Sequence, residues 1–496
     1  MSKFFFLCIF MSVVAVRPAN EGGLSLIGTR TIRGIWLTLI ALYILTAPFE
    51  GYWIVPGFHG HSWVSLFQRI LLIPLPVVTM YCVVRYKDRF TIFPLGLITV
   101  WIIWVLFTFA LFSPHTYYYL YYTWEQIAGF LLILSFWYLA RFRDFSRVAT
   151  ISSLIIYYLA TLAVSLWEIR TAHHLGASSE HNVAIPTAFF YGPNHLGAAL
   201  ALIVPFVTLL FLLNRSRWVL ALSILLSLAG IYILYKTGSR GGELALLVEA
   251  VAFAAILPRR WRSYALAVMG ALLVITGAAL VFVAHLPATE KLPFALEKFR
   301  HLIHIFNPSF SPVTPSRGPG SFQIRLALLE SGFRALWHHP WGLGPRGAER
   351  YYAYYVHHKS PYNTYGVIDA HNMWLEIAID FGWLGLILYT AFYGVLLAGL
   401  YRLRRHADLF LRYISWAGFP ALAGFVIGSL SPSSVMIGFN IMWFVYGLAV
   451  MALYQASRFG QIAARYRGSA RNPTFVSRRG PTGSQLQFSR QSRSRR

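Results

Sequence analysis

This 496-residue chain is poor in charge and poorest in negative charge: 17 Asp and Glu stand against 42 Lys and Arg, and charged residues make up 12% of the whole. A soluble domain carries roughly 25% charged residues. With 57% hydrophobic residues and a mean hydropathy of +0.57, the composition predicts an integral membrane protein. Cysteine is almost absent. Cys8 and Cys82 both lie in apolar stretches, which excludes a disulfide framework and a cysteine metal site. No phosphate-binding Walker loop, dinucleotide fingerprint or nucleophile elbow occurs. No repeat of fixed period occurs, and no His, Asp and Glu set has metal-ligand spacing. The paired histidines are adjacent in sequence, so their side chains diverge.

Long apolar runs are what the chain has instead. A span needs about 20 apolar residues, and twelve candidates lie near 31–49, 63–84, 91–113, 117–140, 148–168, 194–213, 218–235, 243–257, 263–284, 378–400, 412–430 and 435–456. The run at 4–16 is too short to span comfortably and reads as an interfacial or partly inserted helix. Part of the basic excess behind the net charge of +25 is clustered in short loops, at 85–89, 141–147, 215–217, 259–262 and 402–412, while the alternate loops near 50–62, 113–116 and 431–434 have no Lys or Arg. That alternation is a membrane-orientation signal rather than a nucleic-acid one, and it puts the basic loops in the cytoplasm.

The expected organisation is therefore all-α and polytopic. A cytoplasmic or interfacial segment covers 1–30, nine spans lie within 31–284, one large outer loop covers 285–370, and three spans lie within 371–456. A basic, disordered cytoplasmic tail occupies 457–496. Within the outer loop, 321–337 reads as an amphipathic helix, with Ile324, Leu328, Leu329 and Phe333 at helical spacing. "HPWGLGPRG" after it is turn-rich.

Four stretches carrying chemistry fall on the outer side. In "YKTGSRGGE" (235–243), Lys236 and Arg240 are cations placed against the orientation trend. Glycines there allow close backbone approach, and Arg240 lies at a helix N-terminus where anions are favoured. This describes a phosphate or pyrophosphate site, or else a snorkelling arginine at a helix end. Arg325 sits on the apolar side of the outer helix, as an anion ligand or as a partner of Glu330, with Arg334 the competing cation. In "DAHNMWLEIAIDFGWLGLI" (369–387), His371 is placed at a helix mouth beside Asn372. It is either a general base or a satisfied interfacial histidine, and Glu376 and Asp380 orient polar groups near it. Asn194, in "YGPNHLGAA" (191–199), reads as an N-cap.

In this order, "YGPNHLGA", "TGSRGG", the arginine-bearing helix running into "HHPWGLGPRG", and "AHNMWLEIAIDFGWLGL" resemble the bacterial O-antigen ligase-like family, over roughly 185–450. The resemblance implies about twelve spans and a periplasmic loop bearing the site, in the bacterial inner membrane. It implies transfer of a glycan from an undecaprenyl diphosphate carrier to an acceptor hydroxyl, by inversion. The acceptor is the lipid A core in a ligase. In an O-antigen or exopolysaccharide polymerase it is another lipid-linked repeat. The family's site residues fall on Arg240 and Arg325, for the diphosphate, and on His371, as base. Lys236, Asn372, Arg346 and Asn194 are supporting candidates, and Trp337, Trp341, Tyr351 and Tyr352 are candidates for stacking on sugars. No metal, cofactor or nucleic acid is expected, and the partners are the lipid-linked donor, a lipid or glycan acceptor, and membrane lipids. A lipid-linked glycan flippase fits less well, because the ionisable groups concentrate on one face rather than within several spans. The long basic tail and the His- and Tyr-rich loop depart from the family pattern.

Overall fold

The computed structural model describes parts of 34–49, residues 92–175 apart from 115, 183–259, scattered positions in 262–278, 321–357, and 366–471 apart from 437. The expected helix at 4–16, the span at 63–84 and most of that at 263–284 lie outside the described residues. All regular structure among the described residues is helical. The main helices are α1 (Ile92–Phe112), α2 (Tyr117–Leu139), α3 (Arg143–Thr171), α4 (Pro193–Thr208), α5 (Arg217–Thr237), α6 (Arg240–Ile256), α7 (Ser321–His338), α8 (Gly347–His357), α9 (Met373–Leu403), α10 (Leu409–Gly428) and α11 (Asn440–Arg471). Six helical stretches, corresponding to α1, α3, α4, α5, α9 and α10, are long and apolar enough to cross a membrane. The protein is a multi-pass membrane protein. Residues 458–471 are helical as the end of α11.

Helices α4, α6 and α10 pack against one another, and small residues let them approach. A side chain on Gly242 of α6 would meet the Gly197 carbonyl of α4 at 3.0 Å, and one on Gly424 of α10 would meet the Ala245 carbonyl of α6 at 2.7 Å. Close backbone approach of this kind drives helix association in lipid, where burial of apolar surface cannot. Around this trio, α1 and α9 pair, and α11 packs on α2 and α9 through Trp443 on Gly129 and Tyr446 on Tyr389.

Helix α2 relates the two ends of the bundle. Its first turns meet α8 and α9, through Tyr118 on Glu349 (3.0 Å) and Tyr122 on Glu376. Beyond its other end lie Arg143 and Arg147, which pair with Asp408. Arg143, Arg147 and Asp408 thus lie at the end of the bundle opposite Glu349 and Glu376.

Helix α9 is broken. Gly382 has φ 66° and ψ −170°, a conformation open essentially to glycine alone. The break frees backbone groups that cannot be left unpaired in a membrane. The segment 340–344 and α1 supply partners. Leu343 N–H donates to the Ile379 carbonyl (2.9 Å), Gly344 N–H to the Asp380 carbonyl (2.8 Å), and Trp383 N–H to the Pro340 carbonyl (3.0 Å). The Trp104 indole N–H donates to the Phe381 carbonyl (2.7 Å). Gly342, at φ 87°, sits against Gly382, with no space for a Cβ on either.

Helix α7 forms where the periodicity predicts it. Leu328 is buried in a small core with Ala335, Tyr352, Leu375 and Ile379. Phe333 is 56% exposed, so the apolar stripe turns through Ala335 and Leu336 instead. Helix α8 was not anticipated by periodicity. Its N-terminus is capped across the fold by Asp380, whose two carboxylate oxygens accept the N–H groups of Arg346 (2.9 Å) and Ala348 (2.7 Å).

Candidate functional site

Three of the sequence-predicted residues converge on one short turn, 429–436, between α10 and α11. Arg325, half-buried on α7, donates from Nη2 to the Ser431 carbonyl (3.3 Å) and hydroxyl (3.4 Å), not to Glu330. The backbone N–H of His371 donates to the Ser433 carbonyl (3.2 Å), and that of Met373 to the Ser429 carbonyl (3.1 Å). Arg240 reaches the same place by a different route. Gly238, at φ 68°, ends α5, and Ser239 caps α6 by accepting the Gly242 N–H (3.3 Å). Arg240 is then the first residue of α6 with its side chain exposed. Its neighbour Gly241 lies directly on Ser431.

The electrostatics around this turn are cationic. No Arg240 or Arg325 ion pair with a carboxylate occurs among the described residues. Burial, and then the adjacent charge of Arg240, pull Arg325 below its ordinary pKa. Two guanidinium groups held so close without counter-charge make a strained pair that an anion relieves. His371 is mostly buried, with φ 48°. Burial, and then the Arg325 charge, lower its pKa from the usual 6.5, while a contact with the Ser431 carbonyl opposes them. Its Nδ1 is buried and has no hydrogen-bond partner among the described residues.

The supporting candidates divide. Asn194 is not the N-cap of α4, because Gly192 is. Its Oδ1 instead accepts the Ser431 hydroxyl (3.0 Å). Asn372 is an N-cap: its Oδ1 accepts the N–H groups of Trp374 (3.0 Å) and Leu375 (3.2 Å) and starts α9. Lys236 ends α5 with its ammonium 5.7 Å from the Tyr232 ring centroid. Arg346 is engaged elsewhere, paired with Glu349 and lying 3.5 Å from the Tyr118 ring centroid. Tyr351 and Tyr352 are buried, Tyr352 donating to the Leu328 carbonyl (2.7 Å), so they build the core of the α7–α8 region and offer no face to a sugar. Trp337 and Trp341 are exposed at 77% and 61%.

Beside the 429–436 turn lies a cavity of about 20 Å³, lined by Tyr122, Arg346, Glu349, Asp369, Glu376 and Ser434, large enough for one water. Burial raises Asp369 and Glu349 above the usual carboxylate range, with Arg346 working against it in both. Among the described residues no group of three His, Cys, Asp or Glu side chains could hold a metal ion. The residues that sequence reasoning missed are Ser431, Ser433 and Ser434. Their turn carries no charge, and its one sequence signal is the "SPSS" run itself.

Residues 225–390 match the family described as O-antigen ligase. The chain is also similar to the teichuronic acid biosynthesis protein TuaE of Bacillus subtilis (strain 168), at 25% identity over 313 residues. That match covers 61% of this chain and 59% of the relative's length. The matched segment contains Arg240, Arg325 and His371, and this match and the TuaE relative support an O-antigen ligase-like family for an all-helical, multi-pass chain.

Proposed function

We propose that the protein is a glycosyltransferase of the bacterial inner membrane, working on the periplasmic side. It moves a glycan from undecaprenyl diphosphate to an acceptor hydroxyl. The observation that carries this reading is the pair of guanidinium groups, Arg240 and Arg325, without carboxylate partners among the described residues and next to a buried imidazole. Guanidinium forks bind phosphate oxygens bidentately. Here they take up the charge that develops as the anomeric C–O bond to the diphosphate breaks. His371, whose protonated form is disfavoured by burial and by the Arg325 charge, accepts the proton of the acceptor hydroxyl. The acceptor oxygen attacks the anomeric carbon as the lipid diphosphate leaves from the opposite face, so the configuration inverts.

The acceptor we favour is the lipid A core, as for an O-antigen ligase. A polymerase reading has its own support in the relative named for teichuronic acid biosynthesis. Deletion followed by glycan analysis separates the two. Long chains left on the carrier indicate a ligase, and single repeats on the outer lipid indicate a polymerase. The reaction itself is tested by reconstitution with purified lipid-diphosphate-linked donor. Arg240→Lys and Arg325→Lys keep the charge but lose the fork, so each loses about tenfold to a hundredfold in turnover, the equivalent of a charged hydrogen bond of roughly 1.5–3 kcal/mol. His371→Ala abolishes transfer at equal protein level. Wild-type turnover in all three variants refutes the assignment.

A further inference from the structure

Ser431 contacts Arg325 and lies against the residue that follows Arg240. Its carbonyl and hydroxyl both accept from the Arg325 guanidinium. Its carbonyl also meets the His371 imidazole. Its Cβ lies against Gly241, immediately after Arg240. Its own hydroxyl proton is directed away from the arginine, to Asn194 Oδ1 at 3.0 Å. The side chain is almost completely buried, and it stands on a turn pinned by the backbone bonds from His371 to Ser433 and from Met373 to Ser429.

A hydroxyl has one proton and two acceptor lone pairs. Once Asn194 takes the proton, the oxygen can only accept, and among the described residues the donor facing it is Arg325. The Asn194–Ser431 pair therefore fixes both the position and the polarity of the contact. The guanidinium is held by neutral groups, which orient it without neutralising its charge. A carboxylate in that place would hold the arginine more firmly and cancel the charge that an anionic substrate needs.

We infer that Ser431, oriented by Asn194, is a positioning residue that holds the Arg325 guanidinium in place beside Arg240 and His371. The inference rests on the diphosphate-binding role proposed above for Arg325, and it adds a second-turn device that no motif on α4, α6, α7 or α9 contains by itself. Because the same residue supports arginine and imidazole, displacement of one changes the setting of the other.

The test is a double-mutant cycle on full-length protein reconstituted with purified lipid-diphosphate-linked donor. Turnover and the KM for donor are measured separately, and folding is followed by size-exclusion profile and thermal unfolding. Ser431→Ala removes the hydroxyl and keeps the carbonyl. We expect about a tenfold loss in kcat/KM for donor, with a near-wild-type unfolding temperature. In an Arg325→Lys background the same substitution costs less than about twofold, because the group it positions is already gone. Asn194→Ala, at a half-exposed site, gives a smaller loss of the same kind. It takes the place of Ser431→Ala in the cycle should that variant fail to fold. Losses that multiply with Arg325→Lys, or wild-type activity in both serine and asparagine variants while Arg325→Lys is impaired, overturn the inference and leave the diphosphate role standing. Wild-type activity in Arg325→Lys overturns both.

Discussion

Replacing Asp380 by asparagine changes one atom and should cost far more than its size suggests. The side chain is fully buried. Its Oδ1 accepts the Ala348 N–H at 2.7 Å and its Oδ2 the Arg346 N–H at 2.9 Å. An amide has a single acceptor oxygen, so in Asp380→Asn one of these N–H groups faces an NH2. A buried donor left unpaired costs about 1–3 kcal/mol, and the incoming NH2 is itself unsatisfied. Loss of the negative charge at the start of α8 removes a further 0.3–1 kcal/mol or so of dipole stabilisation. The sum is about 3 kcal/mol, which should lower the unfolding temperature by several degrees. The damage is local. Helix α8 loses its cap, and the core it shares with α7, through Tyr352 and Leu328, loosens beneath Arg325. Thermal unfolding in detergent, followed by tryptophan fluorescence, measures the shift. Limited proteolysis shows where it acts, with new cleavage expected within 321–357. An unfolding temperature within about 1 °C of wild type, with unchanged proteolysis, would refute the capping argument.

Two further outcomes follow from the same geometry. Gly382→Ala forces a Cβ onto a backbone with φ 66° and against the Pro340 carbonyl. It should cost at least about 1–3 kcal/mol in strain and reduce turnover sharply; normal stability and activity would show that the break in α9 is incidental. The pH profile depends on His371. Its pKa is lowered from 6.5, so activity falls as pH drops through this lower, folded-state pKa. Stability shares this sign, being greatest above pH 6.5 and lost on acidification. Arg325→Met removes one of the two lowering influences, so the acid limb of its residual activity should move to higher pH. An unmoved limb would separate the two residues.

Much of this arrangement could be read along the chain, and the limits of that reading have physical causes. Arg240, Arg325 and His371 stood out because cations and an imidazole at apolar boundaries are costly. Helix α7 stood out because one face must be apolar. The break at Gly382 did not, since "DFGWLGLI" has the composition of an unbroken span, and only partners distant in sequence determine that the glycine leaves the helical region. Helix α8 was obscured because it is held by a carboxylate from α9 rather than by a local cap. Asn194 was read as a local cap for the converse reason: its partner, Ser431, lies across the fold. Ser431 carries no charge and follows no period, and its importance is entirely a matter of what surrounds it.

The break in α9 also bears on how such a chain is made. A span with open carbonyls is a hazard while it enters the bilayer, because lipid offers them nothing. Every group that closes this break, from Trp104 on α1 to Pro340, Leu343 and Gly344, lies earlier in the chain than the groups it closes. Synthesis runs from the N-terminus, so the partners are already made when residues 379–383 emerge. Within the loop itself the closure uses main-chain atoms alone. The order of the elements along the chain thus protects the kinked helix during its own insertion, and moving the 340–347 segment downstream of α9 would be expected to expose it.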